Sequence, residues 1–402
     1  MSQIKPSLSP LADPGAIVLS GQARFTVLTS RLIRMELDPD GIFDDRPSLT
    51  YWTRLQPVPT FNIKRSDGWL TIETDELVLH FYENNRFHWR DLWIELKKTG
   101  QQWRYDDQDH SNLGGTIRTL DSTRGPVPLG DGLVSRSGWA VVDDSKNLVL
   151  DENLWPIPRE KSIAYKDIYF YGYAQDYLAA IQDHQLISGK PNLLPRWALG
   201  NWWSRYWAYS SDELIKLMDD FQSKQVPLSV CIVDMDWHKT KTGNASSGWT
   251  GYSWNRELFP DPEGFIAELH RRNLNTALNL HPAEGIHNHE DQYPEMAERM
   301  GVDPISGQPI TFEIADPEFA QAYFEILHHP LEKQGVDFWW LDWQQGSRSK
   351  IAGLDPLFWL NHLHFYDQGK NPEKRQFIFS RWPGLGGQRN STGFLGYTVV
   401  DW

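Results

Sequence analysis

The chain has 402 residues, enough for roughly two or three domains and a large buried core, which excludes a small disulfide-stapled scaffold. Its 53 acidic residues outnumber its 39 Lys and Arg residues. The resulting net charge of −14 would repel nucleic acid and anionic membranes, so it argues against binding to either. The single cysteine, Cys231, excludes an intrachain disulfide framework. No apolar leader and no transmembrane-length apolar stretch is visible, so we expect a soluble, cytoplasmic protein.

Residues 1–190 consist of short β-rich runs separated by turn residues. Alternating apolar and polar side chains predict strands at 24–28, 32–37, 69–74 and 77–82, the last two as a hairpin. Such alternation is typical of antiparallel sheets with one wet face, so we predict an N-terminal β-sandwich. The Gly- and Pro-rich stretch 125–144 is expected to be a long loop.

From residue 191 onward, predicted strands alternate with helices. Ser210 and Glu213 form a capping box that predicts the start of the first helix. Further helices are predicted at 262–272, at 317–334 with a disturbance at Pro330, and at 357–366. The predicted strands are 198–203, 228–233, 276–280, 338–341, 376–379 and 394–397. This alternation predicts an α/β fold over 191–402, a (β/α)8-type TIM barrel that is incomplete at about six strands.

Polar residues end four of the apolar runs, and in a barrel the strand ends form the active-site face. They are Asp234, His281, Asp342 and Arg381. Two carboxylates and an arginine among many tryptophans suit glycoside cleavage, in which one carboxylate attacks the anomeric carbon and a protonated one assists the leaving oxygen. The alternative is structural: Asp234 and Asp342 cap their strands and pair with Arg381.

Four separated motifs, in order, resemble glycoside hydrolase family 31, the retaining α-glucosidase and α-xylosidase family. Gly335-Val336-Asp337-Phe338-Trp339-Trp340-Leu341-Asp342-Trp343 resembles its nucleophile segment. Val233-Asp234-Met235-Asp236 is similar to its second strand, and the stretch from Ser380-Arg381 to Gly393-Phe394-Leu395-Gly396 resembles its arginine-to-acid segment. The predicted β-sandwich followed by Pro195-Arg196-Trp197-Ala198-Leu199-Gly200 also resembles the order of segments in the family.

The resemblance implies a galactose-mutarotase-like sandwich at 1–190, a catalytic barrel at 191–402 and an α-linked glycoside or oligosaccharide as substrate. It makes Asp342 the nucleophile, Asp234, His281 and Arg381 substrate-binding residues, and Trp340 a wall of the −1 subsite. Gln344-Gln345 stand where many members carry Asn-Glu.

The sequence departs from the family pattern at the general acid/base. The family has an Asp sixteen residues past the arginine, and that position, 397, is Tyr. A Tyr hydroxyl, with an ordinary pKa near 10, is a poor match to proton transfer in both directions near neutral pH. Asp401 lies four residues further and is a weaker candidate substitute.

A second departure is length, because family barrels have eight strands. Six strands cannot close a barrel and leave unpaired apolar edges. We therefore expect a truncated or split protein that relies on a missing C-terminal half or on a homo-oligomer, and that has poor solubility alone.

Other sites have weaker support. The loop with His281, His287 and His289 fits no strong zinc motif, and no nucleotide-binding motif is present, so we expect neither metal nor cofactor. Two function classes remain: a retaining α-glycosidase that uses Asp342, and a catalytically impaired fragment or carbohydrate-binding remnant without the acid/base.

Overall fold

The structure is a computed structural model that describes residues 6–84, 86–342, 349–381, 384–390, 392–394 and 396–399. Of the sequence features above, Trp343, Gln344-Gln345 and Asp401 lie outside the described residues. Among the described residues, no helix combines the length and hydropathy needed to cross a bilayer.

The N-terminal half is built from antiparallel sheets. Its strands are β1 Ile17–Ser20, β2 Ala23–Val27, β3 Leu32–Leu37, β4 Phe61–Ser66, β5 Trp69–Thr74, β6 Leu77–Tyr82, β7 Leu92–Leu96, β8 Gln102–Arg104, β9 Trp139–Asp143, β10 Val149–Leu150, β11 Pro156–Ile157 and β12 Lys166–Gly172, followed by helix α1 Tyr177–Ser188. Two five-stranded sheets have the orders β1-β2-β3-β12-β9 and β4-β5-β6-β7-β8, and β10 pairs with β11.

The two five-stranded sheets share one apolar core, as the predicted sandwich requires. Phe25 and Phe170 from one sheet and Phe81 and Ile94 from the other belong to the same buried cluster. The predicted hairpin is also confirmed, because β5 and β6 pair antiparallel with Glu73 opposite Val78.

The expected loop at 125–144 is wrong at its C-terminal end. Trp139–Asp143 forms strand β9 and pairs with β12, with Val141 opposite Phe170. A β-branched and aromatic run gains from packing on a pleated surface, and this gain outweighs the turn residues that precede it.

The C-terminal half alternates parallel strands with helices. Its strands are β13 Trp202–Trp203, β14 Val230–Val233, β15 Asn275–Leu280, β16 Phe338–Leu341, β17 Ile378–Arg381 and β18 Thr392–Phe394. Its helices are α2 Ser211–Ser223, α3 Pro262–Arg271, α4 Tyr293–Arg299, α5 Pro317–Ala322, α6 His329–Lys333 and α7 Pro356–Gln368. The six strands form one curled, parallel sheet in sequential order, a half-barrel in which β13 and β18 each have one neighbour among the described residues.

Local signals place the helix starts well. The Ser210–Glu213 capping box is present at α2, with both of its reciprocal hydrogen bonds. The long helix predicted at 317–334 is instead divided by a π-helical segment, Tyr323–His328, between α5 and α6. Pro330 has no N–H, and its ring would clash with the carbonyl of Ile326 in a regular helix, so the disturbance lies one turn before the proline.

Several predicted strand bounds are wrong. Arg196–Leu199 is a 3-10 helix, in which the amide of Gly200 donates to the carbonyl of Trp197, and the first strand contains only Trp202–Trp203. Pro195, which lacks an N–H, cannot take part in a continuous ladder at that point. The fifth and sixth strands lie at 378–381 and 392–394.

Candidate active site

Strand alternation decides which side chains face the interior of the half-barrel. Val230 and Ile232 of β14, and Phe338 and Trp340 of β16, are members of one buried interior cluster. Their immediate neighbours along the strands, such as Trp339 and Leu341, belong to the separate cluster beneath the helices. Since successive side chains point to opposite faces, the next inward position after each interior pair is residue 234 or residue 342.

The same parity holds on the neighbouring strands. Ala277 on β15 leads to His281, and Phe377 before β17 leads to Arg381 through Phe379. The register places Leu280 beside Leu341 and Leu341 beside Ser380, so these strands end at a common level. A layer of inward-facing polar side chains therefore lies at the carboxyl ends of four adjacent strands, as the sequence predicts: Asp234, His281, Asp342 and Arg381. The register sets Asp234 one inward step lower than the other three, because Val233 is opposite Leu278.

Asp342 is held by two basic side chains. Arg381 Nε donates to Asp342 Oδ1 at 2.7 Å, and Arg381 Nη2 lies 2.6 Å from the same oxygen. His281 Nε2 lies 3.4 Å from Asp342 Oδ2. Asp342 exposes 3% of its surface, and these polar contacts meet both of its oxygens. The pairing with Arg381 that the structural alternative predicted is thus present, and it also orients the carboxylate.

The two carboxylates of this layer have opposite pKa shifts. Burial raises the pKa of Asp234, and the hydrogen bond that its Oδ1 accepts from the amide of Met235 opposes this only in part. Burial also acts to raise the pKa of Asp342, but the hydrogen bond from His281 and the charges of Arg381 and His281 outweigh it and lower that pKa. Asp342 is therefore the more acidic of the two and favours the ionised form, in which a carboxylate attacks carbon.

Arg381 has a set of contacts that sequence reasoning missed. Its Nη1 donates to Thr119 Oγ1 at 2.8 Å, and its Nη2 lies 2.8 Å from Asp121 Oδ2. Thr119 and Asp121 belong to the loop between β8 and β9 in the N-terminal half. No local sequence signal identifies them, because they lie about 260 residues from Arg381 along the chain. Arg381 has no exposed surface, so the geometry shows it orienting Asp342, and substrate binding by Arg381 stays a prediction.

Tyr397 lies beside this layer, in a segment that is hydrogen-bonded to the loop between β8 and β9. Its amide donates to Asp121 Oδ1 at 2.7 Å, and 58% of its surface is exposed. Partial desolvation of the hydroxyl, together with the negative charges of Asp234 and Asp342, raises the pKa of Tyr397 to about 12. The hydroxyl is therefore neutral at pH 7 and suited to donate a hydrogen bond, not to accept a proton as a base.

Gly396 is required where it stands. Its φ is +90°, and a Cβ at this position would overlap Asp121 Oδ1 and Arg381 Nη1. We expect Gly396→Ala to lower the free energy of unfolding by more than the roughly 1–2 kcal/mol that a left-handed backbone costs a non-glycine residue. The measurement is chemical denaturation.

A matched control for that prediction is Gly353→Ala. Gly353 has a φ of +84°, but a Cβ there would meet nothing within 4 Å, so only the backbone term applies. Equal losses for the two variants would contradict the close approach of Gly396 to Asp121 and Arg381.

Two tryptophans lie near the site in different settings. Trp340 is 2% exposed and packs in the interior, with its ring centre 5.8 Å from that of Phe379, below the level of Asp342. Its role as a wall of the −1 subsite stays a prediction. Trp249, which the sequence did not single out, is 42% exposed, and its ring is nearly perpendicular to that of His281, with the ring centres 5.1 Å apart.

The histidine-rich loop after β15 makes ordinary polar contacts. His289 Nε2 lies 3.1 Å from Glu290 Oε1, and Glu290 in turn accepts from Ser253 Oγ at 2.6 Å. Within the described part of the chain, a different group, His329, Glu332 and Asp367, brings three ligating atoms within 4.8 Å of one another. In that group Lys370 Nζ lies 2.7 Å from His329 Nε2, so the lysine ammonium takes the place that a metal ion would have beside the histidine.

Comparisons with known proteins agree with this architecture. Residues 191–402 match the sequence profile of the glycosyl hydrolases family 31 TIM-barrel domain. The α-xylosidase of Saccharolobus solfataricus is 28% identical over 183 residues, which are 44% of this chain and 23% of that protein. The α-xylosidase XylQ of Lactiplantibacillus pentosus is 31% identical over 98 residues, 24% of this chain and 12% of that protein.

Solved structures are similar over most of the chain. A family 31 dextranase of Flavobacterium johnsoniae, complexed with glucose, aligns with a TM-score of 0.66 and 16% identity, covering 92% of this chain and 53% of the dextranase. The family 31 α-xylosidase of Xanthomonas citri gives a TM-score of 0.65 and 13% identity, with 96% and 65% covered. At these identities the likeness shows the fold. The chain spans about half the length of the dextranase and about a quarter of the Saccharolobus α-xylosidase.

Proposed function

The chain belongs to family 31 of the glycosyl hydrolases, and on that premise we propose that it cleaves α-linked glycosides with retention of configuration. Catalysis is assigned to residues 191–402, with 1–190 as a supporting β-sandwich, and no cofactor takes part. The observation that carries the proposal is the position of Asp342: it ends β16 on the inward face, and Arg381 and His281 hold it in the ionised form.

In the proposed reaction, Asp342 Oδ attacks the anomeric carbon while the bond from that carbon to the leaving oxygen breaks. The oxygen departs with the bonding electron pair, and the product is a covalent glycosyl ester of Asp342. Water then attacks the same carbon, and the bond from that carbon to Asp342 Oδ breaks and restores the carboxylate. The water loses a proton to solvent, which balances the proton that the departed oxygen takes up, and the sugar is released with its original configuration. Asp234 and His281, at the ends of the two strands that precede β16 in the sheet, are proposed to hold substrate hydroxyls.

The substrate class follows from the named relatives. Among the aligned proteins are α-xylosidases, an α-glucosidase and a dextranase. We propose an α-linked xyloside or glucoside for this chain.

Covalent labelling tests the nucleophile. An α-glycosyl fluoride with a rate-slowing fluorine on the ring needs little acid assistance, since fluoride leaves without a proton. We expect the xylosyl or glucosyl reagent to add one fluorosugar to the peptide that carries Asp342, measured by mass spectrometry of the intact chain and its digest. Asp342→Asn should remove the label, whereas Asp236→Asn should keep it. Absence of the label from the parent chain with both reagents would contradict the proposal.

One observation favours a second function, a carbohydrate-binding remnant. The acid/base position holds Tyr397, and the pKa of its hydroxyl is raised to about 12, well above the range that serves proton transfer near pH 7. A remnant would bind α-glycosides by calorimetry but show neither a labelled Asp342 nor a burst of released leaving group. The labelling experiment therefore distinguishes the two functions.

A further inference from the structure

A short arm of the N-terminal half crosses to the mouth of the half-barrel. We define the arm as residues 118–123, in the loop between β8 and β9. Arg118 at its start pairs with Asp355, the N-cap of α7, with Nε–Oδ2 at 2.9 Å. Thr119 and Asp121 then contact Arg381, the residue that holds the nucleophile candidate. The arm is therefore anchored on the barrel at two points, the start of α7 and the end of β17.

The end of the arm pairs with the segment after β18. The amide of Ser122 donates to the carbonyl of Tyr397 at 3.2 Å, and the amide of Val399 donates to the carbonyl of Thr123 at 3.0 Å. Asp121 Oδ1 adds the bond from the amide of Tyr397. The backbone at the family's acid/base position is therefore held by the N-terminal half through three hydrogen bonds.

Asp121 contacts both Arg381 and the segment after β18. One of its carboxylate oxygens forms an ion pair with Arg381 Nη2, and the other accepts a hydrogen bond from the amide of Tyr397. A carboxylate offers two acceptor oxygens and no donor, so it serves a guanidinium and an amide at once. Gly396, directly before Tyr397, approaches Asp121 and Arg381 so closely that a Cβ would not fit. The three residues are therefore tightly packed.

We propose that Asp121 is a positioning residue of the active site, which fixes the arginine that orients Asp342 and the backbone of the acid/base segment in one geometry. The inference rests on the proposed function and goes beyond it, since it makes the N-terminal half a working part of the site. Asp121 does not touch the reacting atoms; it acts through Arg381 and residues 396–399.

The test is Asp121→Asn in the full chain. The variant keeps the shape, but one oxygen becomes an NH2 donor, so the side chain can no longer accept from both Arg381 and Tyr397. We expect faster amide hydrogen exchange in the peptide that covers 396–399. We also expect labelling of Asp342 by the activated fluoride to slow by about 10- to 100-fold, the cost of a small misplacement of a reacting group.

Asp131→Asn is the matched control, because Asp131 is exposed on the same loop and lies outside the arm. It should change neither readout. A pH profile separates positioning from a general loss of structure. Asp121→Asn removes one of the two carboxylates that contact Arg381, so Asp342 loses a nearby negative charge and its pKa falls. The acidic limb of the labelling profile should therefore move to lower pH. A loss of structure alone would lower the labelling rate without moving that limb.

Equal labelling rates in Asp121→Asn and the parent chain would overturn the inference, and so would unchanged exchange at 396–399. If the parent chain itself is not labelled, the proposed function fails. The exchange measurement then decides by itself whether Asp121 positions the segment.

Discussion

Tyr397→Asp is expected to accelerate cleavage of α-glycosides with poor leaving groups by about 10²–10⁴-fold, the usual contribution of general acid/base catalysis. The amide of residue 397 would still be held by Asp121 Oδ1, so the introduced carboxyl stands where the family places its acid. Asp234 and Asp342 help to raise the pKa of Tyr397, and the same negative charges would raise the pKa of the new carboxyl and favour its protonated, acidic form.

The measurement is kcat/KM for an unactivated disaccharide and for an α-glycosyl fluoride, in parallel. Only the first needs a proton on its leaving group, so only the first should accelerate. Tyr397→Phe is the control that removes the hydroxyl and keeps the ring, and it should resemble the parent chain on both substrates. An equal gain on both substrates, or no gain on the disaccharide, would show that residue 397 does not occupy the acid/base position.

Arg381→Met should give the largest loss of stability, about 3–5 kcal/mol in the free energy of unfolding at pH 7, measured by denaturant titration. The guanidinium has no exposed surface and contacts the carboxylates of both Asp342 and Asp121. Methionine fills much of the volume but leaves the ionised Asp342 buried without its arginine. Covalent labelling of Asp342 should fall with it, because the carboxylate loses its orientation.

The loss should depend on pH in a defined direction. In the parent chain the pKa of Asp342 is lowered, so its ionised form contributes stability above the unfolded pKa, and this is lost as pH falls through the folded pKa. In the variant, burial without Arg381 raises that pKa, so the ionised carboxylate costs stability, and protonation relieves the cost. The difference between variant and parent should therefore begin to shrink as pH falls through the raised pKa of the variant, above the ordinary aspartate value of about 4, and should shrink further below that value.

Arg389→Met is the matched control for that pH dependence. Arg389 is also buried, but its guanidinium donates to the backbone carbonyls of Leu49, Thr50 and Ser188. Burial lowers the pKa of Arg389 to about 9, so it stays charged at both pH 4 and pH 7. Arg389→Met should lower the free energy of unfolding by the same amount at pH 4 and at pH 7. A pH-independent loss in Arg381→Met would contradict the ion pair with Asp342.

The sequence by itself determined the order and type of most elements and four residues of the candidate site. The parallel strands are short apolar runs, and the residue that ends each run stands out because a charge inside the run would be buried without a partner. Period-two alternation then places Asp234, His281, Asp342 and Arg381 on one face near the carboxyl ends of their strands. Motif spacing likewise predicts that residue 397 occupies the acid/base position.

Only the tertiary structure decided what holds those residues. Thr119 and Asp121 reach Arg381 across about 260 positions of chain, and the segment 396–399 is paired with the arm and not with another barrel strand. The strand at 139–143 also followed from pairing with a distant partner, β12. Contacts between residues far apart in the chain depend on how whole elements pack, and local propensity and periodicity carry no information about them.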